Sequence, residues 1–120
     1  RFVSSVAVML LLSMGMAAAA DMDVRSFAEC VTDSGAKYYG AHWCPYCRKQ
    51  NAVFGQNFKY VPYVECSPKG SKQQLDRCSH ISGYPTWVFA GGKRRSSVLS
   101  FSELEKYTGC GLSEKNYFVE

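Results

Sequence analysis

The stretch Trp43-Cys44-Pro45-Tyr46-Cys47 constrains this 120-residue chain more than any other. Two cysteines three apart, with a proline between them and an apolar run before them, fit one local geometry. A buried strand ends, and the first turn of a helix begins. Proline is tolerated there because its missing N–H would have no partner in a first turn anyway. Both sulfurs then lie at one end of the helix, where the partial positive charge favours a thiolate on the first cysteine. Such a thiol is both nucleophile and leaving group, as reversible disulfide exchange requires. Cys44 is therefore expected to be the attacking and more exposed sulfur, and Cys47, one turn inward, the resolving one. A metal half-site is the competing reading, with Cys78 and His80 as a second pair of ligands. Pro45, Tyr46 and the preceding strand fit redox chemistry better, so no metal is expected.

The length fits a single domain, and 47% hydrophobic residues are enough to build a core. The formal charge of +4 is spread along the chain, with only Lys93-Arg94-Arg95 clustered after Gly91-Gly92. That triplet reads as the flank of a hairpin turn, and nucleic-acid binding is not expected. Residues 1–20 stand apart. A basic first residue, an apolar run from Val6 to Met16 and the small residues Ala17 to Ala20 read as an export signal cleaved before Asp21, with a retained membrane anchor as the alternative. Residues 21–120 form the domain, expected to be monomeric and to work outside the cytoplasm, in a periplasm or an organelle lumen. Six cysteines fit such a compartment, where thiols are not kept reduced.

Val24, Phe27, Ala28 and Val31 make an amphipathic helical stripe over Asp23 to Thr32, ended by Asp33-Ser34-Gly35. Ala36 to Trp43 is expected to be a buried strand, followed by a helix from Pro45 to about Phe58. Tyr60 to Cys66 reads as a strand with Pro62 near its start, Ser71 to Cys78 as a short polar helix, and Thr86 to Ala90 and Arg95 to Leu99 as a hairpin. Ser102 is the expected N-cap of a last helix through Tyr107, with Glu105 completing a capping box. The order is βαβ followed by ββα. It predicts an α/β domain with a small central mixed sheet of about four strands, flanked by helices. The cysteine pair falls at the C-terminal end of the first strand, where sites on open α/β sheets lie.

Four further features carry chemistry. Pro85, between Tyr84 and Thr86, opens the third strand and is a candidate cis peptide. Having no N–H, it would leave a backbone edge free to dock an extended peptide beside the sulfurs. Cys66 and Cys78 enclose a short polar segment. A bond between them reads as a staple, with a second redox pair relaying electrons as the alternative. Cys30 and Cys110, in the first helix and after the last, either bridge the terminal helices or remain thiols. His42, beside Trp43, either stabilises the thiolate and moves protons or is a half-exposed loop residue.

With these residues in hand, the chain resembles the thioredoxin superfamily. More narrowly, it resembles the thioredoxin-like domain associated with bacterial and plant homologues of vitamin K epoxide reductase. The resemblance runs from Lys37 to Phe89, through Tyr39-Gly40-Ala41-His42-Trp43-Cys44-Pro45-Tyr46-Cys47, Val61 to Pro68, and Tyr84-Pro85-Thr86-Trp87. It implies a thioredoxin fold, a redox-active Cys44–Cys47 and a cis Pro85. It also implies protein thiols and disulfides as substrates, no bound cofactor, and a quinone-reducing membrane partner that reoxidises the domain. No membrane domain of that kind is present in these residues, so the partner is expected to be separate, removed or absent. Where thioredoxins carry a buried acid, six residues before the first cysteine, this chain has Tyr38, which speaks against a reductant. Cys-Pro-Tyr-Cys is also the glutaredoxin motif, but Tyr84-Pro85-Thr86 and an export leader fit that family poorly.

The expectation is a thiol–disulfide oxidoreductase that promotes disulfide formation in exported proteins. An isomerase, a reductase or a glutaredoxin-like enzyme is the alternative within enzymes. A disulfide-stabilised, non-catalytic secreted binding domain is the alternative outside them, distinguished by an inert Cys44.

Overall fold

The computed structural model describes residues 23–112. The expected leader, residues 1–20, lies outside the described residues. The first helix, α1, covers residues 23–33 and buries Phe27, Ala28 and Val31 along its apolar stripe. The elements that follow are β1 (Lys37–Gly40), α2 (Pro45–Phe54), a 3-10 segment (Gly55–Tyr60), β2 (Tyr63–Glu65), a 3-10 turn (Asp76–Cys78), β3 (Thr86–Val88), β4 (Arg94–Arg95) and α3 (Phe101–Thr108).

The four strands form one mixed sheet in the order β2-β1-β3-β4. β1 runs parallel to β2 and antiparallel to β3, and β4 closes the edge as the return of a hairpin. Register aligns Tyr38 with Tyr63 on one side and Trp87 on the other. In-register residues share a face, so the three rings meet: Tyr38 stacks on Trp87 at 4.9 Å and meets Tyr63 edge-on at 4.9 Å. That face also holds Phe27 of α1, Phe54 of α2 and Leu104 of α3 in a single cluster. Burial of each large apolar side chain stabilises the fold by roughly 1.5–3 kcal/mol. Tyr39, Val64 and Val88 point to the other face, by the two-residue alternation of strands, and pack against Cys66, Cys78 and Ile81. All three α-helices of the described residues therefore contribute to one face, and an irregular segment covers the other.

Several expected boundaries move, each for a local reason. α2 stops at Phe54 rather than Phe58, because Gly55 adopts φ +55° and the chain tightens into 3-10 geometry. The second strand begins at Tyr63. Pro62 stays outside it, although its carbonyl accepts a bond from the Tyr38 N–H at 2.9 Å. The expected polar helix over Ser71 to Cys78 is only the 3-10 turn at its end. There the Gln73 N–H is taken by Ser71 Oγ and the Leu75 N–H by the Cys66 carbonyl, so local acceptors compete with a helical ladder. The hairpin strands are shorter than expected, with Gly91 and Gly92 supplying φ near +90° at the turn. α3 is capped by Ser100, not Ser102. Ser100 Oγ accepts from the Glu103 N–H, while Glu103 Oε1 accepts from the Ser100 N–H.

Two disulfides pin this frame. Cys30–Cys110 ties α1 to the segment after α3 across 80 positions, and Cys66–Cys78 closes the segment that follows β2.

Candidate active site

α2 begins with Cys44 as its N-cap residue and Pro45 in its first turn. A serine or threonine oxygen usually takes this place; here the Cys44 sulfur accepts the Cys47 N–H at 3.2 Å. The fold thus holds the first sulfur against the helix N-terminus. Cys44 and Cys47 carry free thiols, and both are buried, with exposures of 4% and 1%. The expected contrast between an open and a closed sulfur is therefore small in this state.

Cys47 lies beneath the sheet's aromatic row. A β-carbon added at Gly40 would fall 3.2 Å from Cys47 Sγ and 2.8 Å from the Tyr63 ring, so glycine at the end of β1 is what makes room for this sulfur. The Tyr38 hydroxyl bonds to Asn51 Oδ1 at 2.7 Å and lies 3.1 Å from the Cys47 carbonyl. Burial pushes the Cys47 thiol up to about 12, helped by its hydrogen bond with Cys44; the Ala41 backbone and the Tyr38 phenol act in the opposite sense. Burial, followed by the charge of a Cys47 thiolate, holds the Tyr38 phenol far above its ordinary range. Burial and the bond to Glu65 do the same to Tyr63. At neutral pH neither phenol is a base, and Cys47 is a thiol with no ionised acid supplied at the Tyr38 position.

The segment before β3 closes the site from the other side. The Tyr84–Pro85 bond is cis, and the Tyr84 carbonyl accepts from the Cys44 thiol at 3.6 Å. Thr86 Oγ1 donates to the Gly83 carbonyl at 2.6 Å and meets Ser96 Oγ at 2.9 Å, which fixes this turn to the loop before α3. Tyr84, Pro85, Ser96, Ser97 and Val98 line a groove of about 470 Å³, completed by Tyr46 and Lys49 from α2. Tyr46 is 60% exposed at the groove's edge, with Lys49 Nζ 5.0 Å from its ring centre.

Trp43 and His42 face away from this groove, toward the segment after β2. Trp43 donates from Nε1 to Ser67 Oγ at 2.9 Å and meets the Tyr84 ring edge-on. His42 Nε2 lies 2.9 Å from both the Pro68 and the Ser71 carbonyls. Facing two carbonyls, that nitrogen carries its proton and donates. The ring thus ties down a loop, and the proton-shuttle reading of His42 loses its geometry. Cys78 is bonded to Cys66, so it offers no thiolate beside His80. Among the described residues no three His, Cys, Asp or Glu side chains gather to hold a metal.

Three positioning residues escaped the sequence reading. Gln50, wholly buried, accepts at Oε1 from Trp87 Nε1 and the Leu99 N–H and donates from Nε2 to the Leu99 carbonyl. It locks α2 to β3 and to the groove's far wall. Glu65 accepts from the His42 and Ser67 N–H groups and from the Tyr63 hydroxyl, joining the turns after β1 and β2. Asn51 fixes the Tyr38 hydroxyl. A glutamine on the inner face of a helix was a visible signal; the partners of Glu65 and Asn51 were not.

The sheet order, the helix opening on a Cys-x-x-Cys and the cis proline facing it define a thioredoxin-like domain. No protein-family model matches the chain. It is similar to the thiol-disulfide oxidoreductase LTO1 of Arabidopsis thaliana, at 37% identity over 97 residues, which is 76% of this chain. The match covers 26% of that relative, so the chain spans about a quarter of its length.

Proposed function

We propose that this domain is a thiol–disulfide oxidoreductase that oxidises polypeptide thiols outside the cytoplasm. The observation that carries the reading is Cys44, a free thiol at the head of α2, within 3.6 Å of the carbonyl of Tyr84, which with Pro85 lines an open groove. The activity for which the plant relative is named supports it.

In the oxidised domain, Cys44 and Cys47 share a bond. A substrate thiolate attacks Cys44 Sγ, that bond breaks, and Cys47 leaves and takes up a proton. The substrate's second thiolate then attacks its own sulfur in the mixed disulfide and releases Cys44. Two electrons pass to the domain, and the substrate keeps the new disulfide. Burial of Cys47 prolongs the mixed disulfide and gives the substrate's second thiolate time to attack. To expel the substrate backwards, Cys47 must re-attack as a thiolate, and a thiol pushed up to about 12 is rarely one at neutral pH.

A quinone-linked membrane partner, of the vitamin K epoxide reductase type, accepts the two electrons and restores the Cys44–Cys47 bond. This part rests on the resemblance of the motif blocks. The domain acts as a monomer, and its two further disulfides suit an oxidising compartment. The test is equilibration with defined glutathione buffers. A Cys44–Cys47 bond reduced more readily than glutathione disulfide supports an oxidant, and one reduced only far below it makes the domain a reductant. A Cys44 that exchanges with no polypeptide leaves the secreted binding domain.

A further inference from the structure

We propose that the groove beside Cys44 selects substrate cysteines flanked by acidic residues, with Lys49 as the discriminating side chain. This rests on the reading that Cys44 exchanges disulfides with polypeptides. It adds which polypeptides.

The groove's floor and walls are apolar or neutral: Tyr46, Tyr84, Pro85, Val98 and two serines. Among the described residues Lys49 is the one charged side chain that lines it. No ion pair joins Lys49 to a carboxylate of the described residues. Its ammonium is instead held over the Tyr46 ring, a contact worth about 0.5–1 kcal/mol at an exposed site. That contact keeps the charge at the rim without neutralising it.

The serines add to the asymmetry. Thr86 Oγ1 gives its proton to the Gly83 carbonyl, so Ser96 must donate to Thr86. Among the described residues Ser97 Oγ has no hydrogen-bond partner, so its hydroxyl proton is available to a peptide. An extended peptide laid along the groove thus meets an ammonium and a hydroxyl donor within an otherwise apolar wall. A glutamate or aspartate beside the substrate cysteine matches that pair; a lysine or arginine there meets repulsion. Charge pairs at the edge of an interface act mainly on encounter rate and partner choice, which is the quantity to measure.

The probe is the Cys47→Ser variant carrying thionitrobenzoate on Cys44. A peptide thiolate attacks Cys44 Sγ, and the coloured thionitrobenzoate anion leaves. Single-cysteine peptides with Glu, Gln or Lys flanking the cysteine are compared, with Lys49 present and as Lys49→Glu or Lys49→Gln. The ratio of Glu-peptide to Lys-peptide rates cancels effects common to each protein. Its change between proteins cancels the peptides' own thiol reactivity. We expect that ratio to fall by roughly fivefold or more in Lys49→Glu, with Lys49→Gln between, and to shrink at high salt. A ratio unchanged by either substitution overturns the inference alone. If small thiols release the dye but no peptide does, the polypeptide reading itself fails, and this inference with it.

Discussion

The turns that follow β1 and β2 leave the same end of the sheet from paired positions, Gly40 and Glu65, and each carries two cysteines. After β1 the chain enters a helix, and the sulfur of Cys44 is spent on the Cys47 N–H. After β2 no helix forms, and Cys66 and Cys78 bond to each other with no exposed surface on either. The same side chain is thus a free thiol in one turn and a bridged sulfur in the other, and the backbone that follows differs accordingly. A helix keeps its own shape, so its cysteines are free to do chemistry. The segment after β2 has only one 3-10 turn, and sulfur together with carbonyl contacts supplies the missing rigidity.

The largest effect should divide the two turns outright. Cys44→Ser should reduce disulfide exchange to the uncatalysed level with little loss of melting temperature. In Cys47→Ser, the mixed disulfide with substrate should accumulate on Cys44. Trapping on neither residue would erase the distinction between the turns.

Removing the bridges should do the reverse. In the chain-entropy picture, the 12-position closure of Cys66–Cys78 is worth about 3 kcal/mol, and the 80-position closure of Cys30–Cys110 about 4–5 kcal/mol. Denaturant unfolding of the two double serine variants should rank them in that order. Suppose that Cys66→Ser, Cys78→Ser keeps its melting temperature but is no longer reoxidised by membranes containing a quinone-linked partner of the proposed kind. The second turn would then be a relay, and the comparison would collapse.

A smaller effect concerns proton traffic at Cys47. Burial, the largest cause, remains when Cys44 is replaced, so in Cys44→Ser the Cys47 thiol should alkylate with an apparent pKa well above the ordinary thiol value. Adding Tyr38→Phe removes a phenol that favours the thiolate, and alkylation should become slower still. The sign for stability follows from the same shift. Between the unfolded thiol's pKa and the folded value of about 12, the native state holds a proton that the unfolded chain has lost. The reduced protein should therefore lose stability as pH rises through that window, and Cys47→Ser should lose less. A Cys47 that titrates like a free thiol would mean that the aromatic row does not insulate it.

How much of this was legible follows the same division. The first turn was readable because proline, the helix start and the cysteine spacing are local signals, and the succession of strands and helices along the chain followed from alternating strand and helix patterns. The second turn was misread as a helix because its polar composition permits one. What prevents it is non-local: Cys66, twelve positions away, and His42 from the other turn. Ser100 and Ser102 were interchangeable by composition, and only the reach of Glu103 decides between them. Gln50, Glu65 and Asn51 matter through partners on other elements, which spacing along a single chain does not reveal.

The smallest expected effect tests whether the two turns act together. Trp43 precedes the nucleophile, yet its indole N–H is given to Ser67 in the other turn. That bond is one of the few direct side-chain links between them. Ser67 is buried, so losing one partner leaves a polar atom without water, whereas losing both is milder. A double-mutant cycle of Trp43→Phe and Ser67→Ala should therefore show a coupling energy of about 0.5–1.5 kcal/mol in stability. Repeated with Cys66 and Cys78 replaced by serine, the coupling should shrink, because the disulfide is what holds Ser67 in place. If the coupling is the same with and without the bridge, the hydrogen-bonded carbonyls on His42 suffice to order the second turn. Sulfur would then add stability there without shaping the surface that Trp43 rests on.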